Sequence, residues 1–302
     1  MAAGHNVPVL QRWAFGAAAF WRLSRFNNVV LPALTVATGY YLYPQHDAGR
    51  ELLLTSIIAY TLLHAVITIW NDVCDDHVDK LNGTPRIQQV KDDGHWRTVV
   101  TLCTVSLLLA LCCMFWLPCR ITIGLVIFLV LGWAYNTRPL LLSHKPIASQ
   151  LVLALAYGAI PAFIGVSHDL SLTSLVLIVS LMLGRSSLSL LKDYKDAIGD
   201  SKATKKTFLL VYGGALTARL SVALAVIGYI GVTAIVTAHT GNYSTAAMLS
   251  MALVGIWLTA QRTELFRRHS YTSLNIIFHH CLRYEMLFIG LAALWSYLSY
   301  IS

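Results

Sequence analysis

Hydrophobic positions in this chain come in long unbroken runs, and polar positions are confined to short stretches between them. A helix needs roughly 17 to 25 mainly apolar residues to cross the hydrocarbon of a bilayer. Nine stretches approach that length: 28–45, 52–70, 99–117, 121–135, 147–166, 171–191, 208–237, 244–260 and 284–301. The fourth is short and the seventh long. None alternates apolar with polar residues, as the strands of a membrane barrel must, so the pattern predicts helices. The expected architecture is all-α, a polytopic membrane protein forming a single domain over residues 1–302 with about nine transmembrane helices.

Composition sharpens this picture. With 57% hydrophobic residues, 12% charged and a mean hydropathy of +0.64, the chain is far from the average of soluble domains. The net charge of +8 does not point to nucleic acid, because the basic residues sit in short connections instead of on one polar face. If the N-terminus is cytoplasmic, alternation across nine spans places every Lys and Arg on the inside except Arg50, Arg120, Arg185 and Arg219. That asymmetry predicts the orientation, with the C-terminus on the opposite side. The first twenty residues carry Arg12 and no long apolar core, so no cleavable leader is expected. The six cysteines lack metal-type spacing and read as small packing residues. His279-His280 and Arg267-Arg268 read as membrane-interface residues.

Where the carboxylates fall carries the chemistry. Asp72, Asp75, Asp76 and Asp79 directly follow the apolar run ending at Trp70, and Asp193, Asp196 and Asp200 follow the run ending at Leu191. Both stretches are expected in cytoplasmic loops, where they can meet. The shared outline of an apolar helix ending in an Asp-rich stretch hints at an internal repeat. On a helix, the spacing of three and then four positions stacks Asp72, Asp75 and Asp79 on one face, and likewise Asp193, Asp196 and Asp200. A single acidic cluster at an interface is commonly a solvated loop end, but two matched ones on one side call for a cation. Hard oxygen donors without sulfur or paired histidines favour Mg²⁺, which is usually completed by substrate phosphates. Two facing sets suit a diphosphate bridged by metal ions.

These stretches carry a resemblance. Asn71-Asp72-x-x-Asp75-x-x-x-Asp79 resembles the first signature of the UbiA superfamily of intramembrane prenyltransferases, and Asp193-x-x-Asp196-x-x-x-Asp200 resembles the second. Trp133-Ala134-Tyr135-Asn136-Thr137-Arg138-Pro139, Tyr157-Gly158-Ala159-Ile160-Pro161, and Gly199-Asp200 followed by Lys206-Thr207 also match. The resemblance covers roughly residues 20–300. It implies helices around a central cavity, with Mg²⁺ and a prenyl diphosphate between the two motifs and the isoprenoid tail in a tunnel open to lipid. By position, Asn71, Asp72, Asp75, Asp79, Asp193, Asp196 and Asp200 would hold metal and diphosphate, with Asp72, Asp75, Asp193 and Asp196 as the catalytic set. Arg86 and Lys192 are the nearest basic candidates for phosphate contacts. The continuation Asn82-Gly83-Thr84-Pro85-Arg86 is shorter than in many members, and Pro139 stands where some carry a Lys, a role for which Arg138 or Lys145 is the nearest replacement.

Other polar groups fall at the edges of the runs. Arg22 and Arg25 read as positive-inside anchors, whereas Asn27 or Asn28 is a candidate for binding an acceptor hydroxyl or carboxylate. Tyr135 and Arg138 are expected to line the substrate site. The expected reaction is Mg²⁺-dependent transfer of a prenyl group to an acceptor, most simply an aromatic one. A terpene cyclase on the same scaffold would need no acceptor. A cation-coupled transporter is disfavoured, because its carboxylates would sit near the bilayer midplane.

Overall fold

The computed structural model describes residues 9–43, 49–81, 83, 85–268 and 271–301, which are helical with no strand among them. In chain order the helices are α1 (Val9–Ser24), α2 (Val30–Leu42), α3 (Arg50–Cys74), α4 (Asp76–Leu81), α5 (Arg86–Asp92), α6 (Trp96–Trp116), α7 (Cys119–Asn136), α8 (Pro146–Ala154), α9 (Ile160–Gly165), α10 (Leu172–Lys202), α11 (Phe208–Tyr212), α12 (Gly214–Thr240), α13 (Asn242–Arg268) and α14 (Tyr271–Ile301). Seven described stretches are long and apolar enough to cross a membrane: α3, α6, α7, the α8–α9 stretch, residues 172–194 of α10, α12 and residues 278–301 of α14. Two shorter apolar helices, Val30–Leu42 and Ala246–Ala260, stand where the first and eighth spans were expected. The chain is an all-helical integral membrane bundle, with seven span-length apolar stretches among the described residues.

Other expectations also change. The run 208–237 is broken at Gly213, whose φ of 82° and ψ of 160° lie in a region that only glycine enters easily, so α11 is a separate helix before α12. The acidic stretch after residue 191 is not a loop. α10 simply continues through it to Lys202, helped by the (i, i+4) pair Lys192–Asp196 at 3.9 Å. Residues 261–283, read as a polar connection, are largely the ends of α13 and α14, and the side chains of Arg267 and Arg268 lie outside the described residues. Helix α1 was not foreseen. It buries Ala19 and Leu23 against α3 and α6 and leaves Trp13 and Trp21 exposed, so it is amphipathic. Of the cysteines Cys281 is buried in the core and Cys103 and Cys113 pack half-buried against core side chains, while Cys74, Cys112 and Cys119 are exposed.

Two cores meet in the middle of the bundle. One gathers side chains of α2, α10, α12, α13 and α14 around Leu177, Leu191 and Phe288, and the other joins α2, α3, α7 and the α8–α9 stretch around Leu63, Leu125 and Phe128. Between α8 and α9 the chain forms a π-helical turn, Leu155–Ala159. Pro161 follows it and has no N–H to give to the preceding turn. The hydroxyl of buried Tyr60 on α3 supplies a donor instead, bonding the carbonyl of Ala156 at 2.8 Å. The turn lies hard against α10, where a Cβ on Gly158 would come within 2.7 Å of Met182 Cα. Glycine here lets two backbones touch.

Candidate active site

The carboxylates assemble at one end of the bundle. Asp72 lies in the last turn of α3 and is fully buried. Arg25, whose left-handed backbone (φ 49°) turns the chain between α1 and α2, donates to Asp72 Oδ1. Arg86 opens α5 and places Nη1 3.5 Å from Asp72 Oδ1 and 3.6 Å from Asp79 Oδ2. Two guanidinium groups thus converge on one carboxylate, yet Asp72 Oδ2 is buried without a hydrogen-bond partner.

The first motif does not ride one continuous helix, as its spacing implied. Helix α3 ends at Asp75, which caps it with φ −91° and ψ 8°, and α4 begins at the next residue. Carboxylates stacked on an unbroken face would repel one another, and the break turns Asp75 away from Asp72 and Asp79. Asp72 and Asp79 share Arg86, while Asp75 turns towards Lys205 Nζ at 3.8 Å. Asn71 donates to Asp75 Oδ2 at 3.4 Å. Asp76 pairs with Lys80 at 2.8 Å on the helix exterior.

The second motif does lie on one helix, α10. Asp193 is buried and accepts a hydrogen bond from Gln150 Nε2 of α8 at 3.0 Å, and Ser189 holds that amide by donating to its Oε1. Asp200 is buried too, with Lys205 Nζ 3.7 Å from its Oδ1. Lys205 therefore sits between Asp75 and Asp200 and ties the two motifs together. Its inward aim comes from Thr204, which takes a left-handed conformation (φ 55°) directly after α10, and from the bond of Lys205 N–H to the Asp200 carbonyl at 2.9 Å.

These surroundings leave the acids short of cations. Burial pushes the Asp79 carboxyl up to about 6, against the opposing pull of Arg86. Burial likewise raises the Asp200 carboxyl, against Lys205. For Lys205, burial works against the charged form, but Asp75, Tyr135 and Asp200 outweigh it and raise its pKa. The ammonium stays charged.

The remaining candidates divide. Tyr135 is buried at the end of α7, its hydroxyl 3.2 Å from Ser149 Oγ. Arg138 is exposed on the rim, near enough to His144 to help burial and Lys205 lower that imidazole's pKa. Lys145 is also exposed. Asn27 is exposed and Asn28 half-buried, and among the described residues neither side chain bonds a carboxylate. Arg25, read as an interface anchor, instead reaches into the site and pairs with Asp72. Asn82 and Thr84 lie outside the described residues. Three groups escaped sequence reasoning: Arg25, Lys205 and Gln150. Gln150 alone left a signal, as an amide within an apolar run.

Carboxylate oxygens are hard donors, and the bare Asp72 Oδ2 has room for a partner. Among the described residues no three His, Cys, Asp or Glu side chains form a ready-made metal cage. That suits Mg²⁺, which keeps several waters and is generally held by one or two carboxylates plus substrate phosphates. Asp72, Asp75 and Asp79 on one side, and Asp193, Asp196 and Asp200 on the other, are the residues that would hold it.

A membrane bundle with two Asp-rich motifs and four basic side chains at one end defines a class of intramembrane enzyme acting on anionic, lipid-tailed substrates. The chain belongs to the UbiA prenyltransferase family, whose model matches residues 30–282. This membership overturns the transporter alternative. A curated relative, the bacteriochlorophyll synthase 33 kDa chain of Cereibacter sphaeroides, is 27% identical over 176 residues, covering 56% of this chain and 57% of the relative. The match thus spans little more than half of that protein. Among solved structures, digeranylgeranylglyceryl phosphate synthase superposes with a TM-score of 0.67 at 14% identity, over 94% of this chain and 99% of that one. A UbiA homologue from Archaeoglobus fulgidus bound to GPP and Mg²⁺ gives 0.65 at 17% identity, over 90% and 99%. At such identities these structures establish the shared fold.

Proposed function

We propose that the protein transfers a prenyl group from an isoprenoid diphosphate to a separate aromatic acceptor, with Mg²⁺ held between the two acidic motifs. The observation that carries this reading is the Lys205 bridge between Asp75 and Asp200, which brings the motifs within reach of one diphosphate. Arg25, Arg86, Lys192 and Lys205 now face carboxylates, and each can turn its donors to phosphate oxygens when the diphosphate enters. The carboxylates they release are then free to bind metal. When bound, Mg²⁺ would neutralise the charge that builds on the departing diphosphate. The allylic C–O bond breaks with its electron pair leaving on the diphosphate, the acceptor bonds to the freed carbon, and the acceptor gives up a proton. The fixed cations favour this step because charge develops where they already point. The buried apolar interior of the bundle is the natural place for the tail.

We further infer that the site end of the bundle faces the cytoplasm, because the basic connections gather there.

The test is product analysis by mass spectrometry, using purified protein, Mg²⁺, prenyl diphosphates of graded length and candidate aromatic acceptors. Asp72→Asn and Asp193→Asn keep side-chain size, and each is expected to lower turnover roughly 10²–10³-fold with the fold retained. Full activity in both variants would sink the proposal. Cyclic hydrocarbon formed without any acceptor would favour a cyclase.

A further inference from the structure

Below the carboxylates the bundle carries a second polar layer that the diphosphate chemistry does not use. Arg185 on α10 and Glu285 on α14 face each other with Nη1 and Oε2 3.6 Å apart, and their side chains are 13% and 5% exposed. The Arg185 guanidinium lies over the ring of Tyr157 at 5.4 Å, and the ring of His64 on α3 stands edge-on to that same tyrosine at 5.6 Å. Tyr157 belongs to the π-helical turn, which locally widens the helix and redirects its side chains. His64 precedes Asp72 by eight positions and Arg185 precedes Asp193 by eight. Both therefore lie roughly 12 Å along their helices from the motif each helix carries.

This layer is electrically complete but short of hydrogen bonds. A separation of 3.6 Å is beyond hydrogen-bonding range. Neither Arg185 Nη1 nor Glu285 Oε2 has a hydrogen-bond partner, although both atoms are buried. Buried polar atoms are almost always bonded, and each such exception needs an explanation. An open donor beside an open acceptor is matched by one small group that both accepts and donates. A hydroxyl does this; a carboxylate or an ammonium would leave one of the two charges opposed. Gly184 stands beside the pair without a side chain, and a Cβ there would only reach van der Waals contact with Glu285 Oε1, at 3.8 Å.

We propose that Arg185 and Glu285 form a binding site for a neutral hydroxyl group on the acceptor, with Arg185 Nη1 donating to its oxygen and Glu285 Oε2 accepting its proton, against the ring of Tyr157. The inference rests on the proposed transfer to a separate acceptor. An isoprenoid diphosphate is hydrocarbon beyond its phosphates, so a hydroxyl at this depth belongs to the second substrate.

The experiment measures binding to the full-length protein in detergent micelles by calorimetry. The probes are methyl 4-hydroxybenzoate and methyl benzoate, which differ only by one phenolic hydroxyl, and geranyl diphosphate with Mg²⁺. The wild type is expected to prefer the phenol about tenfold, as for one buried hydrogen-bonded group. The double variant R185M/E285L replaces the pair with apolar side chains of similar volume, a change buried ion pairs often tolerate. It should bind the two esters equally while keeping its geranyl diphosphate affinity within about twofold. Should the double variant fail to fold, Glu285→Gln keeps the shape, and the preference should fall at least threefold. No preference in the wild type, or an equal preference in a folded variant, overturns the site. If geranyl diphosphate does not bind but the phenol preference appears and vanishes as described, the hydroxyl site stands and the prenyltransfer reading falls.

Discussion

Lys205 holds two carboxylates from different motifs on one ammonium, at 3.8 and 3.7 Å, with its side chain only 11% exposed. A cation in that position lowers the repulsion that Asp75 and Asp200 would otherwise exert on each other, so the metal-free site keeps its shape. Lys205→Met removes the charge and keeps the stem. The metal-free protein is then expected to lose about 3 kcal/mol of stability, as when one partner of a buried ion pair is removed. Added Mg²⁺ should restore more of that loss in the variant than it gains in the wild type, because it meets two uncompensated carboxylates. Thermal unfolding with and without Mg²⁺ checks both signs; equal metal effects in the two proteins would show that Lys205 and the metal do not share the site. The carboxylate half of this arrangement was legible, because spacings of three and four residues are local. The cationic half was not. Arg25 is 47 positions from Asp72, and Gln150 is 43 from Asp193. Such pairs are made by packing, and nothing in the local pattern separates Arg25 from an interface anchor.

Elements differ in how openly the chain announces them. The runs that became α6 and α7 needed only their apolar length, since lipid-facing helices carry little other constraint. The run 208–237 hid its break at Gly213, because counting apolar residues is blind to a backbone that takes positive φ. Motif spacing hid the end of α3 at Asp75 for a related reason: a helix end changes direction without changing composition. The π-helical turn at Leu155–Ala159 is the most consequential of these irregularities, since it sets Tyr157 between His64 and Arg185. Its stability depends on one long-range bond, from Tyr60 to the Ala156 carbonyl. Tyr60→Phe leaves that buried carbonyl unbonded and is expected to cost about 1–3 kcal/mol. The ring stays, so its stacking on Phe128 at 4.5 Å should survive. A denaturation midpoint unchanged from wild type would mean that the turn draws its stability from Gly158 and the contact with α10 alone.

At the scale of the whole molecule, both acidic motifs and the cations that face them sit at one end of the bundle. Arg25, Arg86 and Lys205 serve as site ligands as well as topological signals, so the positive-inside bias and the demand of a diphosphate for cations act on the same residues. Under the proposed function, the end that would take the charged headgroup is the end the bias directs to the cytoplasm. The two ends can be told apart by chemistry. Asp93 lies in the exposed connection between α5 and α6, at the site end, and Leu170 lies in the connection before α10, at the other. In a cysteine-free background expressed in intact cells, Asp93→Cys should resist a membrane-impermeant maleimide until the membrane is opened, and Leu170→Cys should label at once. The reverse pattern would turn the molecule over, and would require its diphosphate substrate to be supplied from outside the cytoplasm.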